Sequence, residues 1–534
     1  MSLKSFWDAI ARRAYVAVPF GCLVYYLLYF NYGIVLDDEG FLIWNASSIW
    51  HGQWPVSDFI SYQPAMYFLL AGFFRLFGET LLVERIFLIL HILVCVVCLI
   101  WCGKRLLPAR YALIPALLFA FAPGPWYKIF FIFHLLLVLV AALRCAERPD
   151  ARRSFWFALA IGFAATSRAE AVLLSVTLFV ATQGLDGLAR VWRGGREAIL
   201  PTLERIAVNS LAGMLGFCLP LAVLGAVYGI AGKLDAFIAN TRLYASVSYQ
   251  FSIDLLGRAQ IFKPASLLAS PSLEQWFFAL GLLGALALLA VNLPRLGLRN
   301  EAAALRARQK ALVGGLGLAS MSYAFFFVWD ARMLSSFAIV YLATIVTLAD
   351  GAAWFSRRGW QRGTTWTVPI GALVLLAFIG VFCRIAVYSG SISAILPASV
   401  RIDHPFLKGA WIYDFQARDI EGLMEVASAH PGATIVPMSE ATTMGYLSGL
   451  RNPTYIRLFT GELSPSGAQA AAIATFEQEK IDYFVARSGQ FIPGGAAASD
   501  LGRYAPEVKA YLLTHYDVKR LGERYVLLVR RSPS

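Results

Sequence analysis

Residues Leu36 to Pro64 read LDDEGFLIWNASSIWHGQWPVSDFISYQP. The stretch places Asp37, Asp38, Glu39 and Asp58 directly after the first apolar segment of a chain built mostly of apolar segments. A carboxylate beside a bilayer is costly to bury, so acids gathered where a helix leaves the lipid mark a site that has a partner. Trp44, Trp50 and Trp54 share the stretch with them.

The rest of the chain supports a membrane setting. Of its 534 residues, 58% are hydrophobic and only 15% charged, against about 25% charged in soluble domains. Apolar runs long enough, or nearly so, to cross a bilayer lie at about 14–36, 81–102, 110–123, 126–143, 154–167, 170–189, 206–230, 274–292, 311–328, 333–350 and 366–388. The expected fold is therefore a polytopic α-helical membrane protein with about eleven transmembrane helices. Ala122–Pro125 and Thr166–Arg168 read as tight turns between the legs of hairpins. The start, MSLKSFWDAIARR, is followed by an apolar run longer than a signal-peptide core, which is expected to stay as the first span.

The net charge is +13, from 46 Lys and Arg against 33 Asp and Glu. Nucleic-acid binding would need a basic, aromatic-bearing face on one domain, and none is visible. The cations instead form short clusters between apolar runs, such as Lys104/Arg105/Arg110 and Arg144/Arg148/Arg152/Arg153. This positive-inside pattern puts those clusters and the N-terminus in the cytoplasm, and the loops 37–80 and 231–273 on the far side with everything after about 389. In a bacterium this is the inner membrane, with a periplasmic C-terminal domain.

Two domains follow: 1–388, the membrane part with its first outer loop 37–80, and 389–534, a soluble α/β domain. In the latter, apolar runs shorten to strand length at Thr434–Met438, Tyr483–Ala486 and Tyr525–Val529, alternating with amphipathic helical stretches near 417–430, 467–480 and 505–515. The seven cysteines lie in or beside apolar runs and form no disulfide framework. Cys95, Cys98 and Cys102 share a helical face, but no His or carboxylate joins them at ligand spacing, so they read as core thiols.

On this topology the charges outside the cytoplasmic clusters fall on one face: Asp37, Asp38, Glu39 and Asp58, then Arg168, Arg242, Asp330 and Arg332. A guanidinium suits a phosphate, because its planar fork pairs two oxygens and it stays charged. A carboxylate can take the proton of an incoming hydroxyl. Group transfer from a phosphate-linked lipid is the chemistry these residue types fit, with Arg168, Arg332 and Arg242 as candidate phosphate contacts. Asp37, Tyr62, Gln63 and Asp330 are candidates for sugar or acceptor contacts. Neither a Walker sequence nor a strand-linked GxGxxG is present, in keeping with a donor that is not a nucleotide.

The order of residues here resembles the GT-C superfamily of membrane glycosyltransferases, more narrowly the bacterial relatives of the protein O-mannosyltransferases and of the lipid A aminoarabinose transferases. The resemblance rests on Asp38-Glu39-Gly40, Gly52, Asp58-Phe59, Tyr62-Gln63-Pro64-Ala65-Met66-Tyr67 and Phe73-Phe74-Arg75-Leu76-Phe77-Gly78. It implies Asp38 as general base, Glu39 as its orienting or substrate-contacting neighbour, and Asp58 as a second acid. It also implies a polyprenyl-phosphate sugar donor, an envelope glycan, lipid or protein acceptor, and inversion at the anomeric carbon. Many relatives carry His or Lys where this chain has Gln63, so acceptor contacts are not carried over. Some relatives hold a divalent metal near this loop; His51 is its one imidazole, and no obligatory cofactor or metal is expected.

Blander readings compete. The acids also suit a solvated helix-capping turn, the arginines snorkelling cations, and Tyr62 with the tryptophans an aromatic belt. His91 and His134 read as hydrogen-bonded helix contacts, and the sequon-like Asn45-Ala46-Ser47 signifies little. A lipid or sugar transporter would also show many spans, but with ionisable groups near the midplane and in repeated halves. An anchored binding domain would make little use of so many spans.

Overall fold

The computed structural model describes residues 13–36, 39–62, 64–121, 126, 129–242, 273–327, 331–358, 367–375, 398–438, 440–455, 467–495 and 501–531. In chain order its helices are α1 (Ala14–Leu27), α2 (Glu39–Trp50), α3 (Ala65–Phe77), α4 (Leu81–Leu106), α5 (Ile114–Phe121), α6 (Ile129–Glu147), α7 (Ala151–Ala165) and α8 (Ala169–Gly194). They continue with α9 (Ile199–Ile230), α10 (Leu273–Asn292), α11 (Glu301–Phe327) and α12 (Ala331–Arg357); unlabelled helical stretches cover 234–242 and 367–375. Each apolar run read from the sequence contains helix. Among the described residues, Leu81–Leu106, Ile129–Glu147, Ala171–Ile230 and Ala338–Arg357 are long and apolar enough to cross a membrane.

Contacts divide the chain into two compact units, one of Met1–Leu28, Leu88–Val227 and Ala259–Ala394, the other of Tyr29–Phe87, Tyr228–Arg258 and Ile395–Ser534. In the first, the solvent logic of a soluble protein is reversed. Along α9, Leu200, Leu203, Leu211 and Leu215 are exposed, whereas Asn209 is buried. Asn209 donates to Gln183 Oε1 at 3.0 Å, and Gln183 donates to Ser154 Oγ at 3.2 Å. Apolar groups outside and satisfied polar groups inside are what a hydrocarbon solvent selects. Glycines let α7 and α9 approach closely: a Cβ at Gly162 would meet the Phe217 carbonyl at 2.3 Å, and one at Gly216 the Phe155 carbonyl at 2.2 Å.

The hairpin turn expected at Thr166–Arg168 is present. Arg168 N–H donates to Ala164 O at 2.6 Å, and the Thr166 and Ser167 hydroxyls donate to Phe163 O. The turn expected at Ala122–Pro125 lies outside the described residues. His134 departs from expectation: it is buried, neither ring nitrogen has a hydrogen-bond partner among the described residues, and its ring sits edge-on to Phe133 and Phe163. Aromatic packing, not hydrogen bonding, holds it. Cys22, Cys95, Cys98, Cys102 and Cys145 are buried free thiols.

The first apolar run stops being helical at Leu27, nine residues before the sequence pattern suggests, and its remainder belongs to the second unit. Tertiary pairing takes over: Trp411 N–H donates to Asn31 O at 2.7 Å, Gly33 N–H donates to Trp411 O at 2.6 Å, and Gly33 adopts φ 71°. A left-handed residue at that point suits glycine and cannot continue a helix. The C-terminal segment carries α13 (Asp414–Ala429), β1 (Ile435–Pro437), α14 (Thr442–Leu447), α15 (Ala468–Gln478), β2 (Tyr483–Arg487), α16 (Pro506–His515), β3 (Tyr516–Arg520) and β4 (Tyr525–Arg530). The sheet order is β1-β2-β4-β3, with β1 parallel to β2 and the other pairs antiparallel. Val436, Phe476, Phe484, Leu512 and Leu528 form its core. The sequence did not reveal β3, an edge strand carrying Asp517, Lys519 and Arg520; charge on an edge hides the strand and also blocks unwanted pairing. The domain boundary expected at 388/389 lies outside the described residues.

Candidate active site

The acidic stretch is held from both sides in the chain. Glu39, the first residue of α2, is buried, and its Oε2 accepts from the Val35 N–H at 2.8 Å and from Arg85 Nη2 at 2.9 Å, the same nitrogen lying 2.7 Å from Oε1 in the ion pair. Arg85 also donates to Gly33 O at 3.2 Å, and the buried Glu84 lies 3.5 Å from its Nε. Burial pushes the Glu39 carboxyl above its ordinary range, opposed by the Arg85 guanidinium and the Val35 N–H. Thr443, at the start of α14, ties the same turn: its hydroxyl accepts from Gly40 N–H at 2.8 Å and donates to Val35 O at 3.1 Å, and its N–H donates to Leu36 O at 3.3 Å. A Cβ at Gly40 would lie 2.3 Å from Thr443 Cα, so this approach requires glycine. Asp37 and Asp38, which sit in sequence between these anchors, lie outside the described residues.

A second pinned element follows. Asp58 accepts from Trp54 N–H at 2.9 Å, from Ser57 Oγ at 3.2 Å and from Lys233 Nζ at 2.8 Å. Partial burial works to raise its pKa, but the hydrogen bonds from Lys233 and Trp54 and the Lys233 charge outweigh that and hold it below the usual carboxylate range. Within the turn Val56 has φ 62°, a costly conformation for a β-branched residue that persists only where its surroundings enforce it. Here they do: Tyr455 and Asn240 donate to Val56 O at 2.7 and 2.8 Å, and Tyr228 donates to Pro55 O at 2.7 Å. Ile60 N–H donates to Tyr455 O at 2.9 Å, and beyond it Tyr62 packs edge-on against Phe41, centroids 5.2 Å apart.

Glu39, Asp58, Tyr62 and the exposed Arg242, at the end of the 234–242 helix, belong to one unit; Arg168 and Arg332 belong to the other. Arg168 is the half-buried N-cap of α8. Arg332 lies in the first turn of α12, its side chain outside the description, and Gln63 and Asp330 lie outside the described residues. Asn45 of the sequon-like triplet is fully buried in α2, where no modifying enzyme reaches it. Among the described residues no group of three or more His, Cys, Asp or Glu side chains is arranged to hold a metal ion.

Sequence reading missed the holders: Arg85, Lys233, Asn240, Thr443 and Tyr455. Only Glu84-Arg85 left a signal, as adjacent charges inside an apolar run. The others are ordinary polar residues that acquire meaning from partners up to 408 residues away.

Chemically, Glu39 and Asp58 are occupied. Each accepts from a backbone N–H and from a cation, which ties the described residues of this segment to partners remote in sequence.

No family model matches the chain, and no curated protein matches it in sequence. Three solved structures are similar along most of their length. One is the Archaeoglobus fulgidus oligosaccharyltransferase tethered to an acceptor peptide containing the NVT sequon, at 12% identity and TM-score 0.44, covering 94% of this chain and 70% of that one. The others are ArnT from Cupriavidus metallidurans bound to undecaprenyl phosphate, at 13% identity and TM-score 0.48, covering 98% of this chain and 99% of that one, and the same protein in the apo state, at 13% and 0.48, covering both chains completely.

Proposed function

We propose that the protein is an inverting glycosyltransferase that moves a sugar from a polyprenyl-phosphate donor to a hydroxyl of an envelope glycan, lipid or protein at the outer face of the inner membrane, using about eleven transmembrane helices and no obligatory metal. The observation that carries the reading is the bracketing of Asp37-Asp38 by Glu39–Arg85 and by Thr443. A general base works only when it is held in reach of its proton, and anchors on the residues flanking Asp37-Asp38 in sequence support that reading. Because Glu39 is buried against Arg85, the base is assigned to Asp38, with Glu39 and Asp58 as residues that position the loop.

In the proposed step the acceptor oxygen attacks the anomeric carbon, its proton passes to the Asp38 carboxylate, and the bond from that carbon to the phosphate oxygen breaks. Polyprenyl phosphate leaves with the bonding electron pair, and the configuration inverts. Each guanidinium stabilising the leaving phosphate contributes about 3 kcal/mol; Arg168, Arg242 and Arg332 are the candidates, to be replaced singly. The test is release of polyprenyl phosphate by the purified protein from a panel of polyprenyl-phosphate sugars. Asp38→Asn is expected to abolish release while the protein remains folded, and near-normal turnover by that variant removes the assignment.

A further inference from the structure

A cleft of about 780 Å³ opens among α4, α6 and α7, at the end of these helices where the sequence concentrates arginine. Five arginines line it, Arg105, Arg144, Arg148, Arg152 and Arg153, against two carboxylates, Glu147 and Asp150. Both carboxylates are engaged locally. Glu147 pairs with Arg105 and, at 3.6 Å, with Arg153; Asp150 caps α7 by accepting from the Arg153 N–H at 2.8 Å and lies 3.8 Å from Arg148 Nε. Arg144 and Arg152 have no carboxylate partner among the described residues.

The wall is also cross-linked by contacts among its own residues. Trp101 is flanked by the guanidiniums of Arg105 and Arg144, 4.3 and 5.4 Å from its ring centroid, and Arg153 Nη1 donates to Arg144 O at 2.7 Å. Cation–π contact fixes a guanidinium while leaving its in-plane donors available. The lining next to Arg144 along the same face of α6 is apolar, Leu137, Val140 and Ala141, and Trp156 of α7 is exposed. A cleft of this size, with uncompensated guanidiniums adjoining apolar side chains, matches an amphiphile with an anionic phosphate head.

We infer that this cleft binds an anionic diacyl phospholipid, its phosphate held by Arg144, Arg148 and Arg152 and its chains laid along Leu137, Val140 and Trp156. Basic pockets between membrane helices recognise headgroups by this combination of charge and adjoining apolar surface. The site is separate from the acidic loop and does not depend on the activity proposed above.

Native mass spectrometry of the full-length protein, released from mixed micelles of phosphatidylglycerol and phosphatidylcholine, tests it. The phosphatidylglycerol adduct is expected to dominate and to weaken about fivefold for each arginine removed in Arg152→Gln and in Arg144→Gln/Arg152→Gln, while Arg110→Gln, outside the cleft, leaves it unchanged. Because Arg152 is exposed, the single variant carries the test should the double variant not fold. Equal retention of phosphatidylcholine, adducts unaffected by Arg152→Gln, or complete displacement by millimolar inorganic pyrophosphate would each overturn a lipid site.

Discussion

Among the helices of 88–227, apolar side chains such as Leu136, Leu139 and Phe157 are buried together with an amide chain running from Asn209 through Gln183 to Ser154, while others such as Leu203 and Leu211 are exposed. In the loop of 29–87, the buried groups include an ion pair, Glu39 with Arg85, and a strained Val56 held by three remote hydroxyl or amide donors on Pro55 and Val56. The helices are specified by neighbours in sequence and by the lipid. The loop is specified by partners far away in sequence, so it loses its shape when a single distant residue changes. A region of the second kind is costly to maintain, and proteins keep such strain where a site needs fixed geometry.

Arg85→Met should break the contrast most severely. It leaves Glu39 and Glu84 buried without their cation, and removing one partner of a buried pair costs about 3–5 kcal/mol. The expected result in detergent is a large fall in the thermal midpoint together with loss of transfer. A midpoint close to the wild type would show that the pair does not hold the loop.

The glycines give a sharper pair. Gly40→Ala drives a methyl into Thr443, and overpacking of this kind costs about 1–3 kcal/mol. Gly184→Ala in α8 meets open space and should be neutral or stabilising by about 0.5–1 kcal/mol. Equal effects of the two substitutions on thermal stability would erase the distinction between the regions.

Tyr455→Phe removes one donor from Val56 O and leaves Asn240 in place, so its cost should be about 0.5–1.5 kcal/mol. Because Val56 is strained, turnover should fall by more than stability alone explains. That comparison needs kcat and the thermal midpoint measured on the same preparation.

A further effect concerns Asp419 in α13. Burial pushes its carboxyl up to about 6, against hydrogen bonds from the Tyr525 and Arg524 N–H groups. A raised pKa means that the folded state holds the proton more tightly than the unfolded one. Its contribution is therefore fully present below about pH 4 and is lost as pH rises through 6. The thermal midpoint should decline between about pH 4 and 6, and Asp419→Asn should flatten that decline. An unchanged slope in the variant would dissociate Asp419 from it.

The helices were legible because hydrophobic runs are a local property: the runs 126–143 and 170–189 read as membrane spans without reference to any other part of the chain, and the helices lie at Ile129–Glu147 and Ala169–Gly194. So were the turn at Thr166–Arg168 and three of the four strands. What escaped had a tertiary cause. Asn31 and Gly33, read as part of the first span, pair instead with Trp411, and β3, an edge strand, carries charged residues. His134 finds aromatic rings where hydrogen-bond partners were expected.

By itself the sequence determined that this chain is helical, apolar and marked by an acidic loop, since composition and periodicity act through nearest neighbours and solvent. Only the tertiary structure decided that Glu39 and Asp58 are engaged by Arg85 and Lys233, and that Thr443 and Tyr455 hold the loop from the far end of the chain. A polar side chain has no fixed role until folding brings it a partner, and that pairing energy is invisible in a linear pattern.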